Sequence, residues 1–127
     1  MLFLMTGEEL DVKELAGKWH IVLQNITRSQ EQISRTVVIY PDGIFRVVSP
    51  HLGEPVPLSK STNDSFPANT GWYQTTYEGS MFVRLRKDGN LEMHYFDKDM
   101  CKRTYKGISS YCVTAIGTRK SKLSCYF

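Results

Sequence analysis

The sequence predicts an all-β fold: an antiparallel up-and-down β-barrel of eight or nine strands preceded by a short N-terminal helix. Three observations carry that prediction. Period-2 apolar segments recur about every 8–12 residues, the spacing of a sandwich or barrel. Most connections are short, which makes consecutive strands antiparallel neighbours. Asp42-Gly43 and Asp88-Gly89 each lie between alternating runs, the strongest short-range hairpin signal. Meander connectivity favours the barrel, because a sheet closed on itself has no edges. The 127 residues form one domain, 1–127, long enough to bury a core.

Thr6-Gly-Glu-Glu9 has capping-box spacing. It predicts a helix over 7–16 whose apolar residues, Leu10, Val12 and Leu15, suit a plug across one barrel end. Gly17 ends the helix. Trp19, Ile21 and Leu23 then share one face of a strand over 18–24.

Residues 36–40 and 44–48 read as a hairpin, in which a two-residue turn at Asp42-Gly43 pairs Tyr40 with Phe45 and Val38 with Val47 and sets Ile39 opposite Arg46. Four of the five prolines fall in 49–70, which reads as a long loop without strand signals and hence as a gate or partner contact. Strands are expected at 72–78, 81–87, 91–97, 100–106, 108–116 and 121–127. Their turns fall at Gly79-Ser80, Asp88-Gly-Asn90, Asp97-Lys-Asp99, Lys106-Gly107 and Gly117-Thr-Arg-Lys120. A three-residue turn at 88–90 with one left-handed residue sets Leu85 opposite Met93 and Val83 opposite Tyr95. Continued across Gly79-Ser80, that register puts Gln74 and Thr76 on the same inner face.

Charge is uneven. The net charge is +3, but residues 98–127 carry seven basic and one acidic side chain. A basic end suits anionic partners, whereas solvated strand faces are the plainer reading. Nucleic acid is not expected as a partner. No apolar run is long enough to span a membrane as a helix. Met1-Leu-Phe-Leu-Met5 is too short for the core of a secretory leader. Read from Met1 the chain is cytoplasmic; if Met1 follows a cleavage it is secreted.

Nothing in the pattern argues for an enzyme. His20, His51 and His94 have no metal-helix spacing, and neither a phosphate loop nor a nucleophile elbow is present. No catalytic residue, metal or cofactor is therefore assigned. If turns centre on Lys106-Gly107 and Thr118-Arg119, Cys101, Cys112 and Cys125 form a row across adjacent strands. One pair could then be bridged, or all three could be reduced and packed as small apolar residues. Aromatic residues on the strands suit a cavity lining and a solid core equally. The interior positions expected to meet a ligand are Trp19, Phe45, Trp72, Gln74, Thr76, Leu85, Met93 and Tyr95.

Residues 10–24, Leu-Asp-Val-Lys-Glu-Leu-Ala-Gly-Lys-Trp-His-Ile-Val-Leu-Gln, carry a family resemblance. The Leu-x-Gly-x-Trp string at 15–19 resembles the entry motif of the lipocalin and calycin barrels, which include the avidins and fatty-acid-binding proteins. The resemblance implies that Trp19 closes one end of the barrel beneath a basic side chain from the last strand, with Arg119 the best-placed candidate. The chain departs from it in lacking a Thr-Asp-Tyr second motif and room for a two-helix lid at 25–35. A compact, avidin-sized lipocalin-like barrel fits best.

Two functions follow. The first is a carrier of a small apolar or aromatic ligand inside a barrel gated by 49–70. The second is a filled barrel acting through its surface as a protein-protein interaction or inhibitor module, with 49–70 as the contact. A cavity of about 300 Å³ or more separates the first from the second.

Overall fold

The computed structural model describes residues 12–24, 34–76, 81–95 and 113–121. They form an antiparallel, nearly closed barrel of nine strands, as the sequence predicts. The strands are β1 (Gly17–Leu23), β2 (Ser34–Ile39), β3 (Ile44–Ser49), β4 (Val56–Pro57), β5 (Ser59–Lys60), β6 (Tyr73–Thr75), β7 (Met81–Leu85), β8 (Leu91–Tyr95) and β9 (Val113–Ser121). Their order in the sheet is β4-β3-β2-β1-β9-β8-β7-β6-β5. The two edge strands, β4 and β5, are consecutive in the chain and separated by Leu58 alone. That residue is the seam at which the wall closes.

Residues 12–14 are helical, and the turn ends on two tight bonds, Leu15 N–H to Val12 O and Ala16 N–H to Lys13 O, both 3.0 Å. The capping box at Thr6–Glu9 lies outside the described residues. At Gly17 a Cβ would meet the Ser121 carbonyl oxygen at 2.8 Å. The crossing of β1 and β9 therefore requires a glycine as much as the helix end does.

Both Asp-Gly hairpins use three-residue loops. Tyr40 N–H bonds Ile44 O at 2.8 Å and Arg86 N–H bonds Asn90 O at 2.7 Å, with Gly43 and Gly89 left-handed at φ 92° and 89°. In each the aspartate accepts from the amide two residues on, Asp42 from Ile44 and Asp88 from Asn90. This type I turn with a left-handed third residue is the next commonest hairpin after the two-residue form. The extra residue corrects the first hairpin: Val37 pairs with Val47, Val38 with Arg46 and Ile39 with Phe45. Ile39 and Val37 therefore fill the core, while Val38 and Tyr40 are half-buried. At the second hairpin the three-residue turn with its left-handed residue occurs one position earlier than expected. Leu85 consequently faces Leu91, and Val83 faces Met93. The inner face is unchanged, because the pairing moves by two residues and side-chain direction alternates by one.

Three further expectations are corrected. The 49–70 stretch is not free of strands: it supplies β4, β5 and a 3-10 turn at Ala68–Thr70. These pieces are two or three residues long, below what periodicity can register. On β6, Tyr73 and Thr75 face inward, opposite Val83 and Met81, so Gln74 and Thr76 do not. The expected turn at 117–120 is absent, since β9 runs unbroken through it and pairs with both β1 and β8. Gly117 serves packing there, because a Cβ would lie 2.4 Å from Ile21 Cδ1 and 3.2 Å from Leu91 Cβ. The expected row of Cys101, Cys112 and Cys125 depended on a turn at Thr118-Arg119, and none forms there. The three cysteines, the strand expected at 100–106, the ends of those at 108–116 and 121–127, and the turns at Gly79-Ser80, Asp97–Asp99 and Lys106-Gly107 lie outside the described residues.

The interior is built in oblique rows across the sheet. Arg119, Trp19, Val37 and Val47 form one, and Leu85, Leu91, Gly117, Ile21 and Arg35 the next. Tyr73, Val83, Met93, Ala115 and Leu23 form a third, and Thr75, Met81, Tyr95 and Val113 a fourth. The helix-proximal rows interlock large and small residues, Ile21 occupying the space Gly117 leaves, as close packing requires.

Candidate functional site

Trp19 organises the end of the barrel next to the helical turn. Its ring is fully buried, its indole Nε1–H donates to Leu15 O at 2.9 Å, and the Arg119 guanidinium carbon stands 4.5 Å from the ring centroid. Arg119 also donates from Nη2 to Glu14 O at 2.6 Å. One side chain of the last described strand thus ties the first strand to the helical turn through a cation-π contact and a charge-assisted hydrogen bond. Burial draws Arg119 below its usual pKa, with the Glu14 carboxylate opposing that shift.

The other expected ligand positions divide. Phe45 and Met93 belong to the interior, and Leu85 and Tyr95 pack against it half-buried. Trp72 is buried on the outer face instead. Gln74 is turned to the loop, where Oε1 accepts from Thr62 N–H at 3.0 Å. Thr76 is exposed.

Tyr73 and Thr75 replace Gln74 and Thr76 on the inner wall, and sequence reasoning missed both. The hidden variable was the length of one turn, which sets the parity of the whole strand. Thr75 is 6% exposed, and among the described residues its Oγ1 has no hydrogen-bond partner. Such a hydroxyl in an apolar surround costs about 1–3 kcal/mol.

Two open clefts flank the helical turn and share Tyr73 as a wall. The larger, about 490 Å³, lies between the turn, the β2–β3 hairpin and the Leu58 seam. The smaller, about 300 Å³, lies towards Leu85, Arg86 and Lys87.

The outer face of β6–β8 carries a second cluster. Phe66 stacks on Phe82 with centroids 4.3 Å apart and meets Trp72 edge-on at 5.0 Å and His94 at 5.4 Å. Arg84 lies 4.6 Å over the Trp72 ring and donates from Nε to Glu92 Oε1 at 3.1 Å, while His94 Nε2 is 2.9 Å from Glu92 Oε2. Burial alone would raise the Glu92 pKa. The hydrogen bonds to His94 and Arg84, with the Arg84 and His94 charges, outweigh it and hold the carboxyl below its usual value. His94 therefore belongs to this structural network. Among the described residues no group of three His, Cys, Asp or Glu side chains is placed to hold a metal ion.

No helix among the described residues is long and apolar enough to cross a membrane. Comparison with known proteins returns no match: no family model, no curated protein and no solved structure is significantly similar to the chain.

Proposed function

We propose that this barrel is a compact lipocalin-like carrier that binds a small apolar or aromatic molecule in its interior. The observation that carries the reading is Thr75, a buried hydroxyl with no partner among the described residues, on a mostly apolar inner wall. Binding cavities combine apolar walls with a few placed polar groups, and a ligand carrying one polar atom would satisfy this one. Trp19 under Arg119 beside the helical turn supports the calycin-like assignment. The 49–70 connection acts as the gate at its seam. No ladder hydrogen bonds join β4 to β5, so parting the wall at Leu58 breaks fewer interstrand bonds than parting any paired strands.

Thr75→Val tests this. The substitution keeps the shape and removes the hydroxyl, so ligand-free protein should gain about 1 kcal/mol in urea melts. Native mass spectrometry of protein purified from its own source should show a co-purifying small molecule that the variant retains less well. A loss of stability on Thr75→Val, with no bound species in either protein, would remove the reading. The alternative, a filled barrel acting through its surface, draws on Leu52, a large apolar side chain 66% exposed within the same connection. Leu52→Asp abolishing a protein contact would favour it.

A further inference from the structure

Arg35 holds an inner-face position on β2. It pairs with Ile21 and precedes Val37 by two residues, and both of those are buried, at 2% and 1% exposure, so the period of the strand turns Arg35 to their side. The residue is half-buried. Among the described residues its guanidinium makes one hydrogen bond, from Nη1 to Ser34 O at 3.1 Å, and no carboxylate pairs with it. Arg119 differs, being spent on the Trp19 ring and Glu14 O. Glu92 is the one acidic residue in the described strands, and it lies on the outer face. A guanidinium has five N–H donors and stays charged, and a charge partly withdrawn from water without a counter-ion is costly. Round the wall, β2 and β6 are separated by three strands one way and four the other, so Arg35 and Thr75 stand on opposite walls of one interior. Each is set back from the helical turn, Arg35 by four residues from the Ile39–Gly17 pair and Thr75 by two from Tyr73, which walls both clefts.

Resting on the carrier reading above, we infer that the interior ligand is a hydroxy or keto acid with an apolar body. Its carboxylate meets Arg35, and the oxygen at its far end meets Thr75. A carboxylate is the planar acceptor that matches the guanidinium fork, and the body lies on the apolar rows between the two walls.

Isothermal titration calorimetry of the full chain with three probes of one ring system tests this: 6-hydroxy-2-naphthoate carries both groups, 2-naphthoate the acid alone and 2-naphthol the hydroxyl alone. At pH 7 the hydroxy acid should bind wild type most tightly. Arg35→Gln should weaken both acids about five- to fiftyfold, the range of a charge-assisted hydrogen bond at a half-buried site. It should shift 2-naphthol less than twofold, which shows the fold intact, and Arg35→Lys should restore part of the loss. Thr75→Val should weaken 2-naphthol and the hydroxy acid and leave 2-naphthoate within twofold. If 2-naphthol binds with its Thr75 dependence while Arg35→Gln leaves both acids unchanged, the acid assignment is overturned and the carrier reading stands. If none of the three binds, the carrier reading falls and the inference with it.

Discussion

Two tryptophans in this barrel are buried, and each has an arginine against its ring, Arg119 at 4.5 Å from Trp19 and Arg84 at 4.6 Å from Trp72. What covers them differs. Trp19 is enclosed by elements from both ends of the described chain: β1, the helical turn before it, and β9 behind Arg119. Trp72 sits outside the wall, and Phe66 of a short loop segment closes over it. Equal burial therefore does not mean equal consequence. A space opened beneath Trp19 is bounded by paired strands that cannot move inward separately, whereas Phe66 can follow a retreating neighbour.

Trp19→Ala should accordingly cost about 3–5 kcal/mol and Trp72→Ala no more than about 3, since the penalty for a deletion depends on how far its surroundings collapse. Urea melts of both variants measure it. An equal or larger loss for Trp72 would break the comparison. The next effect tests the inner region by overfilling it. Gly117→Ala places a methyl 2.4 Å from Ile21 Cδ1, and because that atom is the far end of a side chain the expected loss is about 1–3 kcal/mol.

Phe66→Ala tests the outer region. Phe66 is only half-buried, so about 1–2 kcal/mol should be lost. Amide exchange should accelerate in 61–70 and at Trp72 while the protection of β1 and β9 stays as in wild type. Uniform acceleration would mean that the outer cluster and the barrel open together.

The same contrast explains what the sequence disclosed. Trp19, Ile21 and Leu23, the Asp-Gly hairpins and the inner face of β7 and β8 were legible, because period-2 burial leaves a direct mark on composition. Arg119 was placed beside Trp19 by resemblance; local pattern alone would have broken the chain there, because Gly117 looks like a turn and is instead a packing gap. The outer cluster was illegible. Phe66 lies in a stretch whose prolines and polar residues signal loop, and the register that turned Gln74 and Thr76 inward carried Trp72 with them. Thr75 was missed because the register differs by three residues, an odd number, with Tyr73 rather than Thr76 opposite Val83. A turn one residue longer or shorter reverses every side chain of β6, and no residue within the strand reports that length.

The smallest expected effect separates the two regions by charge. Glu92 lies on the outer face between Arg84 and His94, and its pKa is lower in the folded protein than its usual value of 4.5. A carboxyl shifted this way stabilises the fold where it is ionised in the unfolded chain as well, above about pH 4.5. That stability is lost as pH falls through the lower, folded value. Wild type should therefore exceed Glu92→Gln in stability at pH 7 by about 1 kcal/mol or less, as expected of a partly exposed ion pair. The gap should narrow as pH falls below about 4.5, towards the lower folded value. Over the same window the Trp19→Ala penalty should stay constant, since its largest part is lost apolar packing that no proton changes. Urea melts of the three proteins at pH 7, 4 and 2.5 give both differences. A Glu92 gap that persists at pH 2.5 would show that the carboxylate contributes by shape and neutral hydrogen bonding, and the outer cluster would then be held by the same kind of force as the core.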